Sequence, residues 1–242
     1  MPPVSGGGME INMIQDNLHQ VEENIRKACE RAGRASKEVT LICVSKTKPM
    51  EMIQEAYGYG KRAFGENKAQ EMRDKHDALP QDIEWHFIGH LQTNKVKYVV
   101  GRAALIHSVD SIRLAEAIET ESAKKDVISR VLIEVNVAQE ESKFGVKPEE
   151  TLDLIEKIAD FPHIQIDGLM TIAPFVENPE ENRPIFRQLK QLLVDINAKN
   201  THNINMCVLS MGMTNDYEVA IEEGASFVRV GTGIFGARQY QI

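Results

Sequence analysis

The sequence predicts an α/β protein, a single (β/α)8 TIM barrel with one extra helix ahead of the first strand. Three observations carry that expectation. Eight short apolar or β-branched runs recur along the chain with helical or polar segments between them, which implies parallel pairing through right-handed crossovers. The chain has 242 residues, a length at which eight such units commonly close into one barrel. No GxGxxG turn follows the first run, so the runner-up, an open doubly wound sheet, lacks its usual signature.

Taken in order, residues 1–8 (MPPVSGGG) have no apolar core and read as a flexible lead-in, leaving residues 9–242 as one domain. A helix is expected near residues 11–32, where Ile14, Leu18, Val21, Ile25 and Ala28 fall on one apolar stripe. The eight strand candidates are Val39–Ser45, Ala63–Glu66, Trp85–Gly89, Leu105–Val109, Val131–Val137, Gln165–Ile172, Met206–Met211 and Phe227–Gly231. Helical segments are expected at 112–120, 148–159, 181–197 and 216–223; that at Pro148 starts with Pro and Glu, both favoured in a first turn. Only residues 234–242 follow the last strand, too few for a full helix, so the N-terminal helix is expected to fill that gap in the outer ring. The polar, proline-punctuated loop from Pro174 to Pro184 is expected on the rim after strand six, as a mobile loop or an ordinary connector.

Composition narrows the function classes. Apolar residues make up 42% and charged residues 26%, as in a globular protein, and the net charge of −8 argues against a nucleic-acid or membrane-surface binder. No apolar stretch approaches the ~20 residues of a membrane helix. The three cysteines, Cys29, Cys43 and Cys207, form no CxxC pair; Cys43 and Cys207 lie in strand-like runs and read as small buried hydrophobes. Reduced thiols and no signal peptide point to a cytoplasmic protein. His86 and His90 lie on a strand and its exit, so they read as a packed or hydrogen-bonding pair rather than metal ligands.

In a barrel the chemistry sits at the carboxyl ends of the strands. Those ends are Lys46, Glu66-Asn67, His86 and Gly89, His107, Asn136, Met170-Thr171, Ser210-Met211-Gly212 and Gly231-Thr232-Gly233. A lysine at the end of a buried strand, partly desolvated, becomes a nucleophile for aldehydes; a surface lysine just past the strand is the plainer alternative. The loops after strands seven and eight commonly bind phosphate in this fold. Ser210 and Thr232 offer hydroxyls there, and Gly212, Gly231 and Gly233 allow close backbone approach or merely tight turns. Arg229 lies mid-strand on the same side as Phe227 and Gly231. It either pairs with a carboxylate such as Glu134 or Asp167, or donates to a ligand ring nitrogen.

A specific resemblance joins these pieces. The segments Val44-Ser-Lys46-Thr-Lys-Pro49, Phe64-Gly-Glu-Asn67, Trp85-His-Phe-Ile-Gly-His90-Leu-Gln-Thr-Asn-Lys95, Glu141-Ser-Lys-Phe-Gly145, Gly168-Leu-Met170, Leu209-Ser-Met-Gly-Met213 and Arg229-Val-Gly-Thr-Gly-Ile-Phe-Gly236 resemble the pyridoxal phosphate homeostasis proteins, in the family's order over roughly residues 39–238. The resemblance implies the single-barrel form of the fold-type III pyridoxal 5′-phosphate (PLP) proteins, related to the alanine racemase N-terminal domain. It implies PLP as cofactor, Lys46 as the Schiff-base lysine, and Ser210, Gly231 and Thr232 around the phosphate, with Met211 beside them. Arg229 is then expected to face the pyridine nitrogen and Asn67 the ring. Lys48 is the competitor of Lys46 and is expected in the rim. His86 and Lys143 match recurring positions without an assigned role.

The chemistry that follows is holding rather than turnover. An arginine leaves the pyridine nitrogen unprotonated, so the ring is a poor electron sink. Racemisation needs a second base across the ring, supplied in racemase relatives by a tyrosine from another domain; nothing aims Tyr217 or Tyr240 at the ring. The expectation is a monomeric PLP carrier acting in vitamin B6 and amino-acid balance, exchanging with free amino acids or PLP-accepting apoenzymes. The competing readings are a PLP-dependent amino-acid racemase and a sugar-phosphate enzyme that uses Lys46 on substrate aldehydes.

Overall fold

The computed structural model describes residues 13–140, 143–199 and 204–237; the lead-in 1–8 lies outside them. Eight parallel strands close into a barrel in sequence order: β1 Thr40–Val44, β2 Ala63–Glu66, β3 Glu84–Phe87, β4 Ala103–Val109, β5 Ser129–Glu134, β6 Ile164–Met170, β7 Val208–Met213 and β8 Phe227–Val230. All eight expected strands are present. The register between β1 and β8, with Thr40 opposite Phe227 and Cys43 opposite Val230, closes the ring.

Period-two alternation sorts the strand residues into two apolar clusters. Ile106, Val131, Ile133, Leu169 and Leu209 face outward and pack with the helices. Leu105, Leu132, Met170 and Val208 face inward with Ile172 and Phe227. The inner side of the barrel above this small plug is therefore free to carry polar groups.

The outer ring contains α1 Met13–Arg31, α2 Met50–Gly58, α3 Ala69–Ala78, α4 Val96–Val99, α5 Ile112–Lys125, α6 Thr151–Ile158, α7 Arg183–Ala198, α8 Tyr217–Glu222 and the single turn α9 Thr232–Phe235. Helix α1 buries the expected stripe of Ile14, Leu18, Val21, Ile25 and Ala28. It packs against α8, α9 and α2, in the gap left by the short α9. Asn17 Nδ2 donates to the carbonyl of Ile234 and Asn24 Nδ2 to the Tyr217 hydroxyl. Arg31 reaches Glu218 and Glu222, and Arg183 on α7 joins Glu222 and Glu223, so ion pairs tie α1, α7 and α8 together.

Three expectations change. Helices α2, α3 and α4 have no counterpart in the sequence reading, because their stripes are too short to register: α2 buries only Ile53 and Ala56, and α3 buries Ala69, Met72 and a lysine, Lys75. Cys207 is exposed rather than buried, since β7 begins one residue after it. Strand β7 runs from Val208 to Met213, two residues beyond the expected Met206–Met211 at both ends, and this shift relocates part of the site. Among the described residues no helix is long and apolar enough to cross a membrane.

Candidate functional site

A cavity of about 680 Å³ opens at the carboxyl ends of the strands. Of the sequence-predicted residues, Lys46, Asn67, Arg229, Gly231 and Thr232 line it, together with Lys48. Ser210 and Met211 do not line it. With β7 shifted by two residues, at about 3.3 Å per residue, Ser210 falls well below the strand end. It is fully buried inside the barrel, while Met211 points outward into the helix-facing core.

The loop after β7 supplies a different hydroxyl. Gly212 has φ +90, and a Cβ there would stand 2.6 Å from the Ala220 Cβ, so only glycine permits the bend. Beyond it Met213, Thr214, Asn215 and Asp216 line the cavity. Thr214 Oγ1 accepts from the Gly231 N–H at 3.4 Å and lies 3.2 Å from the Thr232 hydroxyl. Two threonines from consecutive loops thus meet on the wall formed by β7 and β8. Thr214 was not among the expected site residues; the glycine two residues before it was the available signal. Asp216 fixes this loop by accepting from Met213 N and Asn182 Nδ2.

On the adjoining wall, where β1 pairs with β8, Lys46 follows β1 in a turn, half-buried. Lys48 donates to the carbonyls of Phe235, Gly236 and Ala237 at 3.0, 2.9 and 3.2 Å, which ties it to the rim at the end of α9. Asn67 follows β2. Gly89, past the end of β3, approaches it so closely that a Cβ would sit 2.3 Å from the Asn67 carbonyl oxygen. The buried Asn67 Oδ1 has no partner among the described residues.

The floor is a polar layer inside the barrel. Arg229 NH1 donates to the Ser210 carbonyl and hydroxyl at 3.0 and 2.6 Å, and NH2 to the Thr171 carbonyl at 2.8 Å. Neither expected carboxylate is a hydrogen-bonded partner: Asp167 pairs with Arg130 at 2.6 Å, and Glu134 interacts with Arg229 only through its charge. The Arg229 Nε–H has no partner among the described residues. Burial lowers the guanidinium to about 10, partly offset by Glu134 and Asp216, so it stays charged at neutral pH.

From Arg229 a hydrogen-bonded chain runs across the layer. Ser210 Oγ lies 2.9 Å from His107 Nδ1, and His107 Nε2 lies 2.9 Å from His86 Nδ1. Arginine only donates, so the serine proton is left for His107 Nδ1. His107 is then the Nε2–H tautomer and donates to His86, whose own proton sits on Nε2, a buried atom with no partner among the described residues. Burial drives both imidazoles neutral, His86 to about 4 and His107 well below its usual value. His86 therefore pairs with His107 and not with His90, which stacks on Phe144 at 3.8 Å. Glu134 is pushed up to about 7 by burial and by the charge of Asp110, against the pull of Arg229.

Outside this cavity, Asn136 holds the loop after β5 through Glu140 and Lys143, and Lys143 pairs with Glu140 at 2.8 Å. Among the described residues no group of three or more His, Cys, Asp or Glu side chains is placed to hold a metal ion.

The arrangement can do three things. Its charged arginine and lysines favour an anionic ligand, the two threonine hydroxyls offer donors to phosphate oxygens, and an amine reaches the same space. The family profile described as alanine racemase, N-terminal domain, matches residues 17–239. A pyridoxal phosphate homeostasis protein of Aquifex aeolicus is 49% identical over 226 residues, covering 93% of this chain and 98% of that protein. The protein of that name from Escherichia coli K12 is 38% identical over 235 residues, covering 95% and 99%. The structure of PipY from Synechococcus elongatus with PLP bound superposes with a TM-score of 0.80 at 31% identity, covering 92% of this chain and all of that one. Alanine racemase of Corynebacterium glutamicum shares the fold, with a TM-score of 0.69 at 18% identity.

Proposed function

Since this chain belongs to the family of pyridoxal phosphate homeostasis proteins, on the alanine racemase N-terminal-domain fold, we propose that it holds PLP as a Schiff base on Lys46 and serves as a cytosolic carrier with little turnover. The observation that carries this is convergence: Lys46, the Thr214–Thr232 pair and Arg229 with an uncommitted Nε–H all border one cavity. When bound, the cofactor supplies an aldehyde, a phosphate and an electron-withdrawing ring. Lys46 offers the amine for the aldehyde. The Thr214 and Thr232 hydroxyls would serve the phosphate, in place of Ser210. Asn67 would border the ring, its Oδ1, without a partner among the described residues, supporting a polar contact there.

Arg229 sets the limit on chemistry. It is charged, buried and pinned by three hydrogen bonds, so it can donate to the ring nitrogen but cannot protonate it. Among the described residues no tyrosine lines the cavity, and the Tyr217 hydroxyl is engaged with Asn24. Both observations favour a carrier that releases PLP to free amino acids or to apoenzymes over a racemase. The test is the visible spectrum of the purified protein beside Lys46→Ala, with PLP added, before and after borohydride. A yellow species that reduction traps on Lys46 and that the variant loses supports the reading; a protein that stays colourless with PLP refutes it.

A further inference from the structure

Lys46 is flanked by a backbone anomaly. Residues Ser45–Lys48 form a turn closed by Lys48 N donating to Ser45 O at 3.0 Å. Thr47 sits within it at φ +62, a left-handed conformation that is an outlier for a β-branched residue. Behind the strands, on the side away from the cavity, lies a buried ionic cluster. Lys75 on α3 is 4% exposed, and its three ammonium protons go to Ser45 O at 2.8 Å, Glu66 Oε1 at 2.7 Å and Glu71 Oε1 at 2.7 Å. The same Glu66 oxygen accepts from Ser45 Oγ at 2.6 Å, and the same Glu71 oxygen accepts from Thr47 N at 2.7 Å.

We infer that Lys75, Glu66 and Glu71 are positioning residues that fix the strained turn from which Lys46 meets the cavity, before any ligand arrives. The inference rests on the proposed role of Lys46. The residue before Lys46 is held by its carbonyl and hydroxyl, and the residue after it by its N–H, so the lysine backbone is clamped from both sides. Stability alone does not explain the cluster. A buried ammonium with carboxylates gains little over apolar packing, and Glu66 Oε2 is left buried without a partner among the described residues. Glu66 is correspondingly pushed above the usual carboxylate range by burial, a cost borne where its Oε1 holds Ser45 and Lys75, while Glu71 on the same lysine accepts from Thr47 N.

The test compares wild type with Glu71→Ala, with Glu66→Gln/Lys75→Met, which removes the buried charges together, and with Glu71→Ala/Thr47→Asn. Asparagine tolerates the left-handed conformation better, and so needs the clamp less. Three quantities are read: amide exchange at Thr47 in the cofactor-free protein, affinity for pyridoxine 5′-phosphate, which has no aldehyde, and the rate at which PLP becomes borohydride-trappable on Lys46. In Glu71→Ala and in the Glu66/Lys75 double variant, exchange is expected to accelerate and trapping to slow on the order of tenfold, with pyridoxine phosphate affinity kept. Thr47→Asn should return most of the rate. Unchanged trapping, or affinity falling in parallel with trapping, overturns the inference. If wild type itself traps nothing on Lys46, the proposed role of Lys46 has failed, and exchange then decides alone: protection at Thr47 lost in Glu71→Ala sustains the clamp, and no such loss overturns it.

Discussion

Stability between pH 7 and pH 5 should be nearly flat in the intact protein and tilt in opposite directions when one of two floor residues is replaced. His86 has its folded value depressed to about 4 by burial. The unfolded chain, near 6.5, takes up the proton first, so this group's contribution is lost as pH falls from about 6.5 towards 4. From pH 7 to 5 the loss is about 2 kcal/mol. Glu134 is the reverse case. Its folded value is raised to about 7, so the folded protein takes up the proton first and gains stability as pH falls from about 7 towards the ordinary carboxylate range. That gain is also about 2 kcal/mol between pH 7 and 5. His107, lowered by burial, adds to the loss, and Glu66, raised by burial, adds to the gain.

Glu134→Gln should therefore make the protein less stable at pH 5 than at pH 7 by about 2 kcal/mol, and His86→Phe should make it more stable by a similar amount. The assay is urea unfolding of the cofactor-free protein at both pH values, followed through Trp85. That residue is the sole tryptophan, 1% exposed, and sits beside His86 on β3. Variants whose pH profiles run parallel to wild type would refute the assignment of these two groups as the opposed titrations.

Three further outcomes follow from the site. Thr214→Val with Thr232→Val should weaken PLP binding by about 10–100-fold in equilibrium dialysis without shifting the urea midpoint; unchanged affinity would remove the threonine pair from the phosphate. Ser210→Ala should instead cost about 1–3 kcal/mol of stability, because Arg229 and His107 each lose a partner; lost affinity with unchanged stability would return Ser210 to the phosphate. Gly89→Ala sets a Cβ 2.3 Å from the Asn67 carbonyl and should destabilise by at least about 1–3 kcal/mol, visible as a lowered thermal midpoint; a wild-type melt would show that the backbone yields freely there.

The barrel was legible because strand count and period-two alternation are local signals, and they survive in single runs such as Thr40–Val44 and Phe227–Val230. Alternation also placed Arg229 inside, on the same face as Phe227. What single runs do not encode is how far a strand extends past its last apolar residue. Ser210-Met-Gly reads as an exit from β7, yet pairing with β8 continues to Met213 opposite Arg229, across an irregularity in register. Two residues of error moved a hydroxyl from the cavity wall to the floor and left Thr214 unnoticed. The partners of Arg229 were illegible for a different reason: carbonyls carry no side-chain signature, and Ser210 and Thr171 are brought to it only by closure of the sheet. Likewise Lys75 reads as one more charge in the polar segment AQEMRDKHDA, and only packing of α3 behind β2 and β3 reveals it as buried.

The proton order in the floor bears on why holding should prevail over turnover. Because Arg229 can only donate, it fixes every proton below it in one sense, through Ser210 and His107 to the orphaned Nε2–H of His86. Reversing that order would require the serine hydroxyl to give up its acceptor, and protonating either imidazole is opposed by burial. None of the residues named in this layer can pass a proton upward on the cavity side at neutral pH; Glu134, pushed up to about 7 by burial, interacts with the arginine by charge and not by a hydrogen bond. An arginine locked in this way keeps a donor with no proton to release beneath the cavity. A ring nitrogen seated there would be oriented and left unprotonated, a condition that favours a bound, exchangeable cofactor over carbanion chemistry.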